Sequence, residues 1–211
     1  ILISKGGRGG KGNRSLRTNN HTHEKGLEGE EVHVELDMNV IADVGLVGQP
    51  NSGKSSFLAC VSRSTPKIAP YPFTTLFPNI GMIIFDNGIT VSIADVPGII
   101  EGAHQNIGLG HEFLKHIKKS NRLILMIDSS TEDPLKDAQS VIKEVELYQK
   151  GLSQKISLIL INKIDRIADN VHNLLKRFEQ AFPDIKCLPL SAKYKLNIDP
   201  VLKHLKTAFH K

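Results

Sequence analysis

No apolar run in this chain approaches the roughly 18 residues that a membrane-spanning helix requires. The longest are short, such as residues 156–161, so a helical span is not expected. Cysteine is scarce. Cys60 and Cys187 have no metal-ligand spacing, and two isolated thiols suit a reduced compartment. No internal repeat is visible. The chain opens on Ile1 rather than methionine, and we expect a fragment or a processed chain, with any targeting peptide upstream. Acidic residues are nearly missing from residues 1–25, where Lys5, Arg8, Lys11, Arg14, Arg17 and Lys25 face Glu24 alone. The remaining residues balance at 21 basic against 21 acidic, so the whole net charge of +5 belongs to that Gly-, Asn- and Ser-rich head. Such a segment cannot build a core; it suits a phosphate backbone, or equally a solvated loop.

What remains is ordinary for a soluble globular protein: 211 residues, 40% apolar and 23% charged, with room for one sizeable domain and a short appendage. Apolar runs predict strands over 41–47, 81–85, 89–94, 123–127, 156–161 and 185–190. Amphipathic stretches predict helices over 54–62, 110–119, 134–150, 170–182 and 200–210, with helical spacing in Val141, Val145 and Tyr148 and in Val201, Leu202, Leu205 and Phe209. Alternation of strand and helix argues for a mostly parallel sheet covered on both faces. Residues 81–85 and 89–94, joined by Asp86-Asn87-Gly88, read instead as a hairpin, which places one antiparallel strand at the edge of a six-stranded sheet.

The strongest local signal is GQPNSGKS at 48–55, a match to G-x-x-x-x-G-K-[ST] between an apolar strand and a helical pattern. Glycines let the backbone amides wrap a phosphate, and the helix N-terminus adds a favourable dipole. Gly48, Gln49, Pro50, Asn51, Ser52, Gly53, Lys54, Ser55 and Ser56 thus form a candidate phosphate site. Lys54 would reach the β- and γ-phosphates and Ser55 would offer its hydroxyl to Mg²⁺. Asp95 ends another strand as the candidate Mg²⁺-contacting acid, with Gly98 three residues on, near the γ-phosphate. On its own, Asp-x-x-Gly is a common turn. Between these lies YPFTTLFPN, 71–79, in which Phe73, Thr74 and Thr75 are candidates to face the nucleotide and one Thr could complete the metal shell.

Base choice points to Asn162, Lys163 and Asp165 at the end of the strand over 156–161. A carboxylate there can accept from the N1–H and exocyclic N2–H of guanine, whereas adenine offers no such pair and would leave the acid unpaired. Asn162 would bridge to the phosphate loop and the Lys163 stem would cover the base face. Ser191, Ala192 and Lys193 follow the next strand, where a backbone amide could meet guanine O6. Each element falls at a predicted strand end, where open α/β sheets bind ligands.

In this order the motifs resemble translation-factor-type GTPases, and IADVGLVGQPNSGKSS, YPFTTLFPNIG, DVPGIIEGAHQNIGLGHEFLKHI and NKID resemble the Obg family. The resemblance is weak over 6–13 and good over 32–211. It implies a P-loop, Ras-like G domain at 32–211, preceded at 1–31 by an irregular remnant of the family's Gly-rich N-terminal domain. It also implies an Mg²⁺-dependent GTPase that acts in assembly of the large ribosomal subunit, with that subunit and its rRNA as partners. By the same resemblance Thr75 joins Ser55 and Asp95 as a metal ligand. Asn51 matches an asparagine associated with K⁺ activation, although a turn-forming role explains it equally. A monomer is expected. Gln49 diverges from bacterial spellings and ELYQK resembles eukaryotic members, which leans toward the mitochondrion; a nucleolar or bacterial cytoplasmic setting stays open.

One expected feature is lacking. Ile99 follows Gly98 where glutamine would orient the attacking water, and Ile can neither donate nor accept a hydrogen bond. Slow intrinsic turnover follows, with the missing function supplied through Asn51 and K⁺, by His104 (or His111), or by the ribosome. Most of the nine histidines are read as surface residues. Lys115, His116, Lys118, Lys119 and Arg122 are read as following on one helix, as a solvated face in preference to an RNA-facing one. Two alternatives to a GTPase stay open: a GTP-dependent binding module with negligible hydrolysis, and an ATPase.

Overall fold

The computed structural model describes residues 2–12, 24–35, 42–62, 67–68, 79–95 and 120–209. The chain divides into two units, Ile1–Met38 and Asn39–Lys211.

The first unit contains no helix or strand among its described residues, yet it is ordered by a repeat. Backbone N–H groups of Glu24, Leu27 and Glu30 donate to the carbonyls of Lys11, Arg8 and Lys5, at 3.0, 2.8 and 2.8 Å. Two segments thus run antiparallel and bond once every three residues, the period of a polyproline II helix. Glycine makes the approach possible: a Cβ on Gly7 would lie 1.8 Å from the Leu27 carbonyl oxygen, and one on Gly10 1.8 Å from that of Glu24. The apolar side chains Leu2, Ile3, Leu27, Val32 and Val34 are all exposed, so among the described residues backbone pairing rather than a core organises this unit.

The second unit is a seven-stranded sheet flanked by helices. Its elements are β1 (Ala42–Val47), α1 (Lys54–Val61), β2 (Lys67–Ile68), β3 (Asn79–Ile84), β4 (Thr90–Asp95), β5 (Ser120–Asp128), α2 (Pro134–Tyr148), β6 (Ile156–Asn162), α3 (Val171–Ala181), β7 (Lys186–Pro189) and α4 (Ile198–Ala208). The strand order is β2-β3-β4-β1-β5-β6-β7. β4, β1, β5, β6 and β7 are mutually parallel, and β3 is antiparallel to β4. The six expected strands are all there. The two-residue β2 adds a seventh at the edge outside β3, too short to show as an apolar run. The hairpin between β3 and β4 closes as its Asp-Asn-Gly turn demands, with Gly88 N–H donating to Phe85 O at 2.9 Å.

Burial on both faces explains why the central strands read as unbroken apolar runs. In β5 and β6, Leu123, Leu125, Ile127, Ile159 and Ile161 point into a core with Val141 and Val145 of α2 and Leu174 and Phe178 of α3. Their alternates Ile124, Met126, Leu158 and Leu160 point into a second core with Phe57 and Leu58 of α1 and Val201 and Leu205 of α4. α2 starts sharply because the Asp133 side chain accepts from Lys136 N–H and Pro134 occupies the first turn. Arg122 does not continue a helix. It lies in β5, its guanidinium 5.5 Å from the centre of the Phe209 ring, because pairing with β1 (Ala42 with Ser120, Val44 with Arg122) carries the strand back beyond its apolar run. The expected helix over 110–119 lies outside the described residues.

This layering serves one end of the molecule. Register pairs Leu46 with Asp95, Asp128 with Asn162 and Ile161 with Pro189, so the carboxyl ends of five parallel strands meet at one edge.

Candidate functional site

At that edge the chain leaves β1 at Val47 and enters α1 at Lys54 through the loop 48–53. Two of its residues adopt left-handed backbone, Asn51 at φ 62 and Gly53 at φ 98. Gly53 also meets a second constraint: a Cβ there would stand 2.2 Å from the Asn162 side-chain nitrogen. Asn162, 3% exposed, ties the edge together, donating to Ser52 O at 2.8 Å and accepting from Ala192 N–H at 3.0 Å. One buried amide therefore joins the loops after β1, β6 and β7.

The Lys54 ammonium bends back over its own loop, donating to Gly48 O at 3.2 Å and Gln49 O at 2.9 Å. Burial lowers its pKa, and the Asp95 carboxylate nearby partly offsets that. Such a cation is held ready for an anion that would outbid two neutral carbonyls. Ser55, next along α1, donates to Asp95 Oδ2 at 2.5 Å. Asp95 is 5% exposed, and its other oxygen, Oδ1, is buried with no hydrogen-bond partner among the described residues. Burial raises the Asp95 carboxyl, opposed by the Ser55 hydroxyl and by Lys54. A hydroxyl and a carboxylate with one buried oxygen left unsatisfied form a hard donor set, and they fit Mg²⁺.

The cleft begins between Asn51, Gly53, Lys54, Ser55, Ser56 and Lys163. It continues past Gly53 and Ser56 to Asn162, Asp165, Arg166, Ser191, Ala192 and Lys193. At this second end Asp165 is exposed, and its Oδ1 accepts from the Ser191 hydroxyl at 2.5 Å. Lys163 has left-handed backbone, φ 64, and its stem lines both ends of the cleft. The structure thus brings together residues 48–56, Asp95, Asn162, Lys163, Asp165, Ser191, Ala192 and Lys193. Within the loop the Gln49 side chain turns to α2, donating to Asp137 Oδ1 at 3.1 Å. Phe73, Thr74, Thr75, Gly98, Ile99, His104, His111, Lys115, His116, Lys118 and Lys119 lie outside the described residues.

Motif reading missed a third layer of residues. Asp128, the last residue of β5, pairs with the Lys163 ammonium at 2.5 Å and accepts from Ser130 N–H and Oγ–H at 2.9 and 2.6 Å. Thr131 donates to Asp137 Oδ2 at 2.7 Å, beside the contact to Gln49. A signal was there to be read: Asp128 ends its strand at the same edge as Asp95 does.

A loop between strand and helix that wraps anions, with a base-reading acid two strands away on the same edge, is how P-loop GTPases are built. Fold and site place this chain in that class. Residues 43–163 match the family described as 50S ribosome-binding GTPase. The chain is 47% identical over 171 residues to GTPase Obg of Cyanothece sp., covering 79% of this chain and 48% of that protein. It is 43% identical over 209 residues to GTPase Obg of Desulforamulus reducens, covering 96% and 50%. With GTPase Obg of Persephonella marina it shares 40% over 221 residues, covering 100% and 64%. Among solved structures, an Aquifex aeolicus Era variant bound to GDP·AlF4⁻ superposes with a TM-score of 0.63 at 24% identity, covering 80% of this chain and 56% of that one. Era in complex with MgGDPNP and part of 16S ribosomal RNA gives 0.62 at 25%, covering 78% and 55%. The chain belongs to the 50S ribosome-binding GTPase family, as a member of its Obg group. It spans about half the length of the first of the curated relatives it matches.

Proposed function

We propose that the unit 39–211 binds guanine nucleotide with Mg²⁺ and hydrolyses GTP, and that its GTP form engages the large ribosomal subunit during assembly and leaves after hydrolysis. The observation that carries the guanine reading is Asp165, a carboxylate fixed by Ser191 at the far end of a cleft whose near end is the Lys54 loop. Relatives named GTPase Obg and an Era neighbour holding MgGDPNP support it. In this reading Lys54 exchanges its two loop carbonyls for the β- and γ-phosphate oxygens, and the amides of 49–55 surround the β-phosphate. Asp165 takes the N1–H and N2–H of guanine, and the Ala192 N–H, already part of the Asn162 clasp, lies beside the base end. Ser55 and Asp95 would hold Mg²⁺, which neutralises charge developing on the phosphate oxygens. Gly98 and His104 enter from the sequence pattern around the switch, Thr75, K⁺ at Asn51 and a mitochondrial setting from family resemblance, and a monomeric state as an expectation.

Single-turnover GTP hydrolysis by the full chain, with and without large ribosomal subunits, in K⁺ and in Na⁺ buffer, tests the reading. We expect slow intrinsic turnover and stimulation by subunits of about tenfold or more. GTP-dependent subunit binding with no stimulation in either buffer would leave the binding module in place of the hydrolase. Equal displacement of bound GTP by ATP would overturn the choice of base.

A further inference from the structure

Asp128 stands outside the phosphate loop and outside the base-reading motif, yet it touches the machinery on both sides. As the last residue of β5 it is in register with Asn162, and the strand ends are tied by Ser129 N–H donating to Asn162 O at 2.9 Å. Its two oxygens are divided. Oδ2 takes the Lys163 ammonium, in a pair whose side chains are only 17% and 23% exposed. Oδ1 takes both donors of Ser130, whose hydroxyl oxygen in turn accepts from Arg166 at 3.3 Å. Lys163 and Arg166 bracket the short 3₁₀ turn Ile164–Arg166 that carries Asp165. The turn is therefore fastened before and after its reading acid, and both fasteners end on one carboxylate.

There is a physical need for such a clamp. Lys163 holds a left-handed backbone that a non-glycine residue adopts at a cost of about 1 kcal/mol or more. A charge-assisted bond in a half-buried setting offsets that cost, where a solvated pair would not. We infer that Asp128 is a positioning residue for base selectivity, holding Lys163 against the base face and, through Ser130 and Arg166, aiming Asp165 at the guanine edge. The inference rests on the guanine-binding reading above.

The test titrates the full chain, as wild type, Asp128→Asn, Lys163→Met and the double variant, with GDP, IDP and inorganic pyrophosphate in Mg²⁺ buffer. IDP lacks the exocyclic N2–H and pyrophosphate lacks a base, so the three ligands separate base reading from phosphate binding. Asp128→Asn keeps the shape of the side chain and an oxygen for Ser130, which guards against misfolding. We expect Asp128→Asn to weaken GDP about tenfold, to narrow the GDP-over-IDP preference about fivefold, and to leave pyrophosphate within about twofold. Adding Lys163→Met to it should cost nothing further, since both remove one interaction. Equal losses for GDP and IDP, a matching loss for pyrophosphate, or no loss at all would overturn the assignment. Failure of the wild type to prefer GDP over IDP would defeat the guanine reading itself, and is seen before any variant is measured.

Discussion

The two ends of the cleft are built on different principles. At the phosphate end the working groups are backbone: a loop of 48–53, the first turn of α1, and one lysine that satisfies itself on the carbonyls of its own loop. At the base end they are side chains each held by a partner: Asp165 by the Ser191 hydroxyl, Lys163 by the Asp128 carboxylate, Asn162 by the Ala192 backbone N–H. A backbone cradle accepts any polyphosphate, because amides do not discriminate what the phosphates carry. Side chains of fixed orientation discriminate, because a wrong base leaves a buried or half-buried polar group unpaired. Affinity should therefore reside mainly at one end and selectivity at the other, with Asn162 as the mechanical link.

The largest expected effect comes from breaking that link. Gly53→Ala would place a Cβ 2.2 Å from the Asn162 nitrogen at a φ of 98°. Both ends should fail together, with GDP affinity falling about 100-fold or more and a loss of about 1–3 kcal/mol in stability, or some 2–10 °C in Tm. Calorimetric titration and a thermal melt check it; GDP affinity within about twofold of wild type would mean that the ends are independent.

A smaller effect is expected from acid. Burial alone would raise the Asp128 carboxyl, but the Lys163 ammonium and the two Ser130 bonds outweigh it and hold it below the usual carboxylate value. A group whose pKa is depressed by folding stabilises the native state above its unfolded pKa and loses that contribution as pH falls through the folded one. The stability gap between wild type and Asp128→Asn should thus be present at about pH 7, shrink below about pH 4 and vanish in stronger acid, its size about 1 kcal/mol. Urea unfolding across that range reads it. A gap that does not change with pH would show that the ion pair contributes nothing beyond shape.

The same division governs what was legible in the sequence. Backbone devices announce themselves, since glycine, asparagine and proline at fixed spacing make them, and the 48–55 loop and the Asp86-Asn87-Gly88 hairpin are legible from residues alone. Sheet strands buried on both faces were legible from runs such as 156–161 for the same reason. β2 was not, because two residues carry no periodicity. Arg122 reads as part of the basic run before it, because the apolar pattern of β5 starts only at Leu123 and the first residues of the strand are set by pairing with β1. The clamp at Asp128 was invisible because its partners, Ser130, Lys163 and Arg166, are brought together by the β5–β6 register and not by spacing. The three-residue bonding period of the N-terminal unit was hidden in a stretch that composition marked as irregular, although Gly7, Gly10, Gly26 and Gly29 carry half of it at a spacing of three.

The division of labour itself is tested most directly by the ratio of GDP to ADP affinity in the wild type and in Asp165→Asn, measured by competition in Mg²⁺ buffer. The wild type should prefer GDP by about 1,000-fold or more; Asp165→Asn should reduce that preference about 100-fold, by weakening GDP while leaving ADP nearly unchanged. A wild type that binds the two diphosphates equally, or a variant that loses both to the same degree, would contradict the account.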